Sequence, residues 1–129
     1  MSSLTTPPTQ ATILSAKAIR DTADYYTSVV NTGNYTNFTY IANSTLDQTV
    51  TVRMFGSLDG LTNADGSFTN GYTITGGTNQ PVDVVIASTA KYVSLFTNTD
   101  YNPYVLLRLI AGGTPTTGSI SIYIAASYE

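Results

Sequence analysis

The sequence contains neither cysteine nor histidine among its 129 residues. Without cysteine, the chain can form no disulfide and no thiolate metal site. Without histidine, it lacks the most frequent general base and the most frequent ligand of transition metals. The two absences together exclude the commonest arrangements for nucleophilic and metal-dependent catalysis.

Charged residues are also scarce, at 10% of the chain, against about 25% in ordinary globular proteins. Five Lys and Arg and a net charge of −3 exclude a basic nucleic-acid footprint. No apolar run is long enough to span a bilayer, so we expect no membrane partner. The N-terminal stretch MSSLTTPPTQ lacks the segments of a secretory signal, which predicts a protein kept in the cytosol or released by lysis.

The polar residues that replace the charges accompany a regular alternation of apolar side chains. Apolar residues at every second position, with turn residues at short intervals between the runs, are typical of antiparallel strands. We therefore predict one all-β domain, a single antiparallel β-sandwich or jelly roll of about eight strands. The clearest runs are Val50, Val52 and Met54; Val82, Val84 and Ile86; Val93 and Leu95; residues 104–110; and Ile120, Ile122 and Ile124, with further strands over residues 25–30 and 35–42.

Three segments carry their own predictions. Residues 1–10 hold two adjacent prolines, which predicts an extended N-terminal arm ahead of a sandwich domain over residues 11–129. Residues 11–20 are Ala-rich and suit a helix or a strand. We favour the strand, because β-branched residues recur there and no capping box precedes it. Asn70-Gly71 predicts a tight two-residue hairpin within residues 67–74.

The stretch FGSLDGLTNADG, residues 55–66, suits a calcium loop, a pair of catalytic carboxylates or a turn. Alignment with an EF-hand loop puts Leu61 at the first ligand position and Tyr72 where the bidentate Glu belongs. A looser calcium site at Asp59 and Asp65 stays conceivable. We predict that these acids cap strand-ending turns, since Asp bonds its own backbone and Gly accepts the φ that follows.

Other catalytic arrangements lack support in the sequence. Asp59 with Asp65 or Asp83 could form a glycosidase pair, but nothing in the sequence supplies the apolar pocket or basic partner that would raise one pKa. A Ser or Thr nucleophile would need Lys17 or Lys91 as its base, and neither lies in a known motif. We therefore expect a protein that is not an enzyme, with no catalytic, cofactor or metal residues.

The apolar side chains exceed what the inner faces of a sandwich require. Ten tyrosines outnumber four phenylalanines, and tyrosine suits both a core and an interface, where ring and hydroxyl find partners. Surplus apolar residues on a soluble protein predict a homo-oligomer. Those predicted on the second face of strands or in loops are Phe55, Leu58, Leu61, Phe96 and Leu106.

Three stretches share a pattern of alternating strands and Gly-rich turns. VTVRMFGSLDG, residues 50–60, is an alternating strand that ends in a Gly-Ser-x-Asp-Gly turn. AKYVSLFTNTDYNPYVLLRLIAGGTPTTGSISIYIAASY, residues 90–128, contains a long apolar strand with one Arg, and NYTNFTYIANST, residues 34–45, fits the strand before the first of these. Together the three stretches resemble the small β-sandwich domains of virion proteins in tailed bacteriophages, with residues 90–128 similar to the C-terminal half of such domains.

The resemblance implies a virion structural protein without enzymatic activity. It would be a capsid decoration protein on the outer head surface, assembled in the host cytoplasm as a homotrimer and bound to the major capsid protein. The same motifs also suit a receptor- or glycan-binding module of a phage head or tail fibre. The resemblance supplies no catalytic residues.

Overall fold

The chain folds into two antiparallel sheets without a helix in the residues that the structure describes. The structure is a computed structural model, and it describes residues 9–31, 37–74, 83–91, 93–98 and 103–127. These described residues form ten strands, where about eight were predicted for the chain: β1 Thr9–Lys17, β2 Asp24–Tyr26, β3 Val30–Asn31, β4 Asn37–Ser44, β5 Val50–Ser57, β6 Gly71–Thr73, β7 Asp83–Ile86, β8 Val93–Asn98, β9 Tyr104–Ala111 and β10 Ile120–Ser127.

Each sheet is built around one central pair of strands. In the four-stranded sheet the order is β1-β10-β4-β8, so the first and last strands are neighbours. In the six-stranded sheet the order is β2-β9-β5-β6, with β3 also on β9 and β7 also on β5. The chain therefore crosses repeatedly between the sheets. All-β architecture with antiparallel sheets is confirmed and is consistent with the predicted β-sandwich.

The core lies between the two sheets and contains the alternating residues that defined the strands. Strand β5 contributes Val50, Val52 and Met54 to this core, as the alternation predicted. On the other side of the core, β10 contributes Ile120 and every second residue after it. Side chains from the two inner faces interdigitate in this way in sandwiches. Other buried members of this cluster are Ile13, Ile19, Tyr40, Ala42, Leu46, Ile74, Ile86, Val105, Leu107, Leu109, Ala111, Ile122 and Ile124.

The two central ladders are regular and the outer ones are not. β10 pairs with β4, and β9 with β5, over eight consecutive residue pairs each. Register shifts interrupt the pairing of β1 with β10 and of β8 with β4, and Ala16 of β1 has a φ of 44°. Thr27 lies between β2 and β3 and remains hydrogen-bonded to β9, because its hydroxyl accepts a hydrogen bond from Leu107 N at 3.0 Å. Ser28 N then donates to Ile13 O of the other sheet.

The N-terminal predictions can be followed as far as Thr9. The strand favoured for residues 11–20 is confirmed as β1, with Ile13 buried. Thr9 and Gln10, which the sequence analysis placed in the arm, already pair with Ala126 and Ala125 of β10. The remainder of the predicted arm lies outside the described residues.

The predicted Asn70-Gly71 hairpin is wrong. Gly71 begins β6, which pairs with β5 rather than with residues 67–69. Phe68 instead bridges back to Thr62 inside the long β5–β6 loop, residues 58–70. Gly71 is needed there for close approach, because a Cβ on it would lie 2.8 Å from the Cβ of Phe68. The positive φ angles of this loop fall at other glycines.

Candidate functional site

Asp59 and Asp65 each close a turn in the β5–β6 loop. Each acid is followed by a glycine in the left-handed region, Gly60 at a φ of 71° and Gly66 at 95°. Residues with a Cβ seldom adopt these angles, so the Asp-Gly pairs fix where the chain bends. The turns expected from the sequence are thus present at both positions.

The Asp59 carboxylate joins the beginning of the loop to its end. Its Oδ1 accepts hydrogen bonds from Leu61 N at 3.0 Å and from the Ser57 hydroxyl at 2.9 Å. Its Oδ2 accepts from Asn70 Nδ2 at 2.9 Å. This last bond links residue 59 at the beginning of the loop to residue 70 at its end. Both carboxylate oxygens therefore serve the loop itself.

The second turn has its own hydrogen-bond set. Asp65 Oδ1 accepts from Ser67 N at 2.9 Å and from the Ser67 hydroxyl at 2.6 Å. Asn63 Nδ2 donates to the same hydroxyl at 3.0 Å, and Asn63 Oδ1 accepts from the Thr69 hydroxyl at 3.0 Å. The loop is held by short polar side chains that bond to one another and to the backbone, as Asx turns do.

These hydrogen bonds stabilise the ionised carboxylates. The Asn70 amide, the Leu61 N–H and the Ser57 hydroxyl lower the pKa of Asp59 below its ordinary value. Ser67 lowers the pKa of Asp65 in the same way. A glycosidase acid needs the opposite shift. Asp83, the third candidate acid, has its pKa lowered by a two-pronged bond to Arg53, with both N···O distances at 2.8 Å.

The three acids are therefore engaged in local structure and do not form a catalytic pair in this geometry. Across the described ranges, no group of three or more Asp or Glu side chains is placed to hold a metal ion. The prediction that the chain binds neither metal nor cofactor stays a prediction.

A pocket lies beside this loop, on the outer face of the six-stranded sheet. Its cavity volume is about 270 Å³, which is at the small end for ligand sites. The strands contribute outward side chains from β2, β5 and β9, and the loop contributes the opposite wall. The lining residues are Tyr26, Phe55, Ser67, Phe68, Thr69, Gly71, Leu106 and Arg108.

The pocket lining combines the apolar and aromatic side chains of Tyr26, Phe55, Phe68 and Leu106 with the polar Arg108, Ser67 and Thr69. Leu106 is only 1% exposed although it points away from the core, and Phe68 of the loop is 8% exposed. The loop thus covers part of the outer face and buries a second, smaller set of apolar residues. A run that is apolar on both faces, such as residues 104–110, is typical of a central strand covered on both sides, and Leu106 is covered in that way. Arg108 and Ile110 on the same face stay partly exposed.

Arg108 lies in a row of polar side chains that crosses the sheet. Tyr26 pairs with Arg108, Arg108 with Arg53, and Arg53 with Asp83. The guanidinium of Arg108 lies 5.2 Å from the centre of the Phe55 ring, within cation–π range. Its Nε is buried and has no hydrogen-bond partner among the described residues. Asp83, the nearest acid in the row, already holds Arg53.

Several apolar residues of the six-stranded sheet and its loop are exposed to solvent. Leu58 is 77% exposed and Leu61 58% exposed in the loop, and Val85 of β7, opposite Thr51 near the start of β5, is 61% exposed. Tyr72 of β6 is partly exposed. Of the surplus apolar residues named from the sequence, Leu58 and Leu61 are therefore exposed. Phe55 lies half-buried, Leu106 is buried, and the side chain of Phe96 lies outside the described part.

The tyrosines divide between core and surface. Tyr40 is buried in the core, and burial raises the pKa of its hydroxyl. Tyr25, Tyr26, Tyr104 and Tyr123 are half-buried. The remaining ones apart from Tyr72, at positions 35, 92, 101 and 128, fall outside the described residues. Tyrosine count alone therefore did not identify an interface.

The sequence analysis missed the pocket, although one signal for it was present. Arg108 is the single charge in the apolar run of β9, and a charge in such a strand has to face water, a partner or a ligand. What no local pattern shows is that the β5–β6 loop folds back over Leu106. In the described part of the chain, no helix is long and apolar enough to cross a bilayer. Comparison of the chain with protein-family models, curated proteins and solved structures finds no match.

Proposed function

We propose that this protein is a structural component of a virus particle without enzymatic activity, a capsid decoration protein on the outer head surface. In this role it assembles as a homotrimer in the host cytoplasm and binds the major capsid protein. The proposal starts from the resemblance of residues 25–128 to virion sandwich domains. It treats the domain as a rigid module whose surface makes the contacts.

The exposed apolar side chains of the β5–β6 loop are the observation that carries the proposal. Leu58 and Leu61 are each more than half exposed in this loop, and neighbouring exposed apolar residues on a soluble domain are typical of an interface. Closed symmetry would cover this surface in each copy without open-ended growth. The low charge of the chain leaves little electrostatic repulsion between copies.

Analytical ultracentrifugation of the purified chain tests the oligomer. Three copies of the 13.7 kDa chain should sediment as one species of about 41 kDa at micromolar concentration. The double variant Leu58→Ser/Leu61→Ser should sediment as a monomer with an unchanged far-ultraviolet spectrum. Val29→Ser, at a less exposed apolar residue outside this loop (36% exposed), is the control and should stay trimeric. A wild-type monomer would contradict the proposal.

The capsid role needs a separate test on the source particle. Mass spectrometry should detect the chain in purified virions, and electron microscopy should locate its density on the outside of the head. Detection in tail fibres instead would favour the second candidate function. Absence of the chain from particles would overturn both.

The second candidate is a receptor- or glycan-binding module of a phage head or tail fibre. The pocket beside Arg108 favours it, because aromatic walls with a few polar groups are typical of sugar sites. A glycan array with the purified domain tests this function directly. Binding of any glycan that is lost when the pocket is altered would support it.

A further inference from the structure

The pocket on the outer face has the size of a single small group. Its volume of about 270 Å³ suits one monosaccharide or one amino-acid side chain rather than an extended ligand. Phe55 and Leu106 form its floor on the sheet, and Phe68 of the loop forms a wall. The hydrogen bonds of Asp59 and Asp65 hold that wall in place, so the pocket is formed before any ligand arrives.

Arg108 brings a positive charge to this pocket and forms no ion pair in the described part of the chain. The ion pair in the described part of the chain joins Arg53 to Asp83 and uses both carboxylate oxygens. Arg108 Nε is buried without a hydrogen-bond partner there, and the ring of Phe55 holds the guanidinium from one side. Nε itself is closed to solvent, whereas the residue as a whole is partly exposed and lines the pocket, so a ligand there meets the accessible part of the guanidinium. The chemistry that satisfies a guanidinium fork is an oxyanion.

The surroundings of Arg108 favour an anion of single charge. Asp24 and Asp65 lie near enough to Tyr26 that their charges help to raise the pKa of its hydroxyl, after burial as the main cause. Their negative field opposes a doubly charged phosphate, and the pocket lining contains no second cation. A carboxylate, which matches the guanidinium with two parallel bonds, is the better fit.

The aromatic walls indicate what carries the carboxylate. The C–H face of a pyranose packs against aromatic rings, and its hydroxyls need polar partners at the rim. Phe55 and Phe68 supply the rings, and the hydroxyls of Ser67 and Thr69 lie at the rim with free acceptor capacity. An acidic sugar can pair its carboxylate with Arg108, pack its ring on the two Phe rings and bond its hydroxyls to Ser67 and Thr69. An Asp or Glu side chain can make only the first of these interactions.

We propose that this pocket binds one acidic sugar residue, with the sugar carboxylate on Arg108 and the ring against Phe55 and Phe68. The inference deepens the second candidate function, and the tests of the trimer and of the capsid location do not depend on it. The site is a recognition site, and no covalent step is involved.

Titration of the full chain with methyl glucuronide, followed by ¹H–¹⁵N correlation spectra, tests the site. The Arg108 Nε–H resonance and the amides of Phe68 and Gly71 should shift together, with a dissociation constant on the order of 1 mM for a ligand of about 14 heavy atoms. Methyl glucoside, which has the same ring without the carboxylate, should bind at least about tenfold more weakly.

Variants of Arg108 test separately the contributions of its positive charge and of its planar guanidinium, which can make two parallel hydrogen bonds to a carboxylate. Arg108→Gln should lose binding by at least about tenfold, and Arg108→Lys should retain only part of it, because an ammonium makes no bidentate bond. Lys91→Gln removes the same charge at an exposed position and is the matched control, with unchanged binding expected.

Three outcomes would overturn the inference. Equal binding of glucuronide and glucoside to the wild-type chain would remove the role of the carboxylate, while leaving a sugar-binding module intact. Equal or tighter binding of a glutamate capped at both ends would assign the pocket to an acidic side chain of a partner protein. Absence of any shift at the pocket up to about 20 mM glucuronide would show that it holds no such ligand. The first and third comparisons use the wild-type chain, so they stand even if a variant fails to fold.

Discussion

Leu106 and Leu107 are adjacent in β9 and equally buried, yet their truncation should cost different amounts of stability. Leu106 is 1% exposed on the outer face and Leu107 0% exposed between the sheets. Each Leu→Ala change removes three carbons, worth about 2.4 kcal/mol at about 0.8 kcal/mol each. The cavity that remains adds to this cost only where nothing can fill it.

At Leu107 the space lies in the dry core, and we expect a loss of about 3–5 kcal/mol in the free energy of unfolding. At Leu106 the space opens into the outer-face pocket, where solvent and the loop can move in, so we expect about 2–3 kcal/mol. Urea unfolding followed by far-ultraviolet circular dichroism measures both, with equal slopes required for the comparison. Equal losses, or a larger loss at Leu106, would refute the argument that the loop covers an open pocket.

Three further predictions concern the loop acids, the surface ion pair and the N-terminus. Asp65→Asn keeps an oxygen that can accept the hydrogen bond from Ser67 N, so the melting temperature of this variant should match that of the wild type, with and without calcium. A melting temperature that rises with calcium in the wild type but not in the variant would reveal a metal site. Arg53 lowers the pKa of Asp83, so this pair stabilises the fold above about pH 4 and its contribution is lost as pH falls through the lowered value. Because the pair is about one-third exposed, Asp83→Asn should lower the free energy of unfolding by less than about 1 kcal/mol at pH 7 and should not change it near pH 2. Thermal melting of the variant and the wild type at both pH values measures this difference. A truncated chain that starts at Thr9 keeps every pairing of β1 with β10. Its melting temperature should equal that of the full chain, and its self-association should be weaker. If the truncated chain is unfolded, residues before Thr9 belong to the sheet.

The strands were predictable because their signal is local. Val50, Val52 and Met54 repeat with the period of a strand, and they do face the core. The β-branched residues of the Ala-rich segment were also enough to favour β1 over a helix. Buried residues outside the strands, such as Ile19 and Leu46, show no such period, because loops that cross between the sheets bring them into the core.

The loop and the pocket depended on contacts that no local pattern contains. Asn70-Gly71 is a strong hairpin signal, yet Asp59 captures the Asn70 side chain and β6 pairs with β5 instead. Tertiary pairing here overrides turn propensity. The burial of Leu106 likewise follows from Phe68 folding back onto the sheet, which alternation cannot show. Arg108 was visible as a lone charge in an apolar strand, but its neighbours across the sheet were not.

The outer strands of both sheets limit edge-to-edge pairing between copies of a chain that carries few charges. A long, even edge strand offers its unpaired N–H and C=O groups to any similar strand, and this is a route to fibrils. In this chain the pairing of β1 and of β8 is shifted, and the other sheet ends in the short strands β2, β3, β6 and β7. Shifted pairing at the borders of one sheet and short strands at the borders of the other therefore guard against self-templated growth. Any assembly of copies is left to faces and loops, which can be specific.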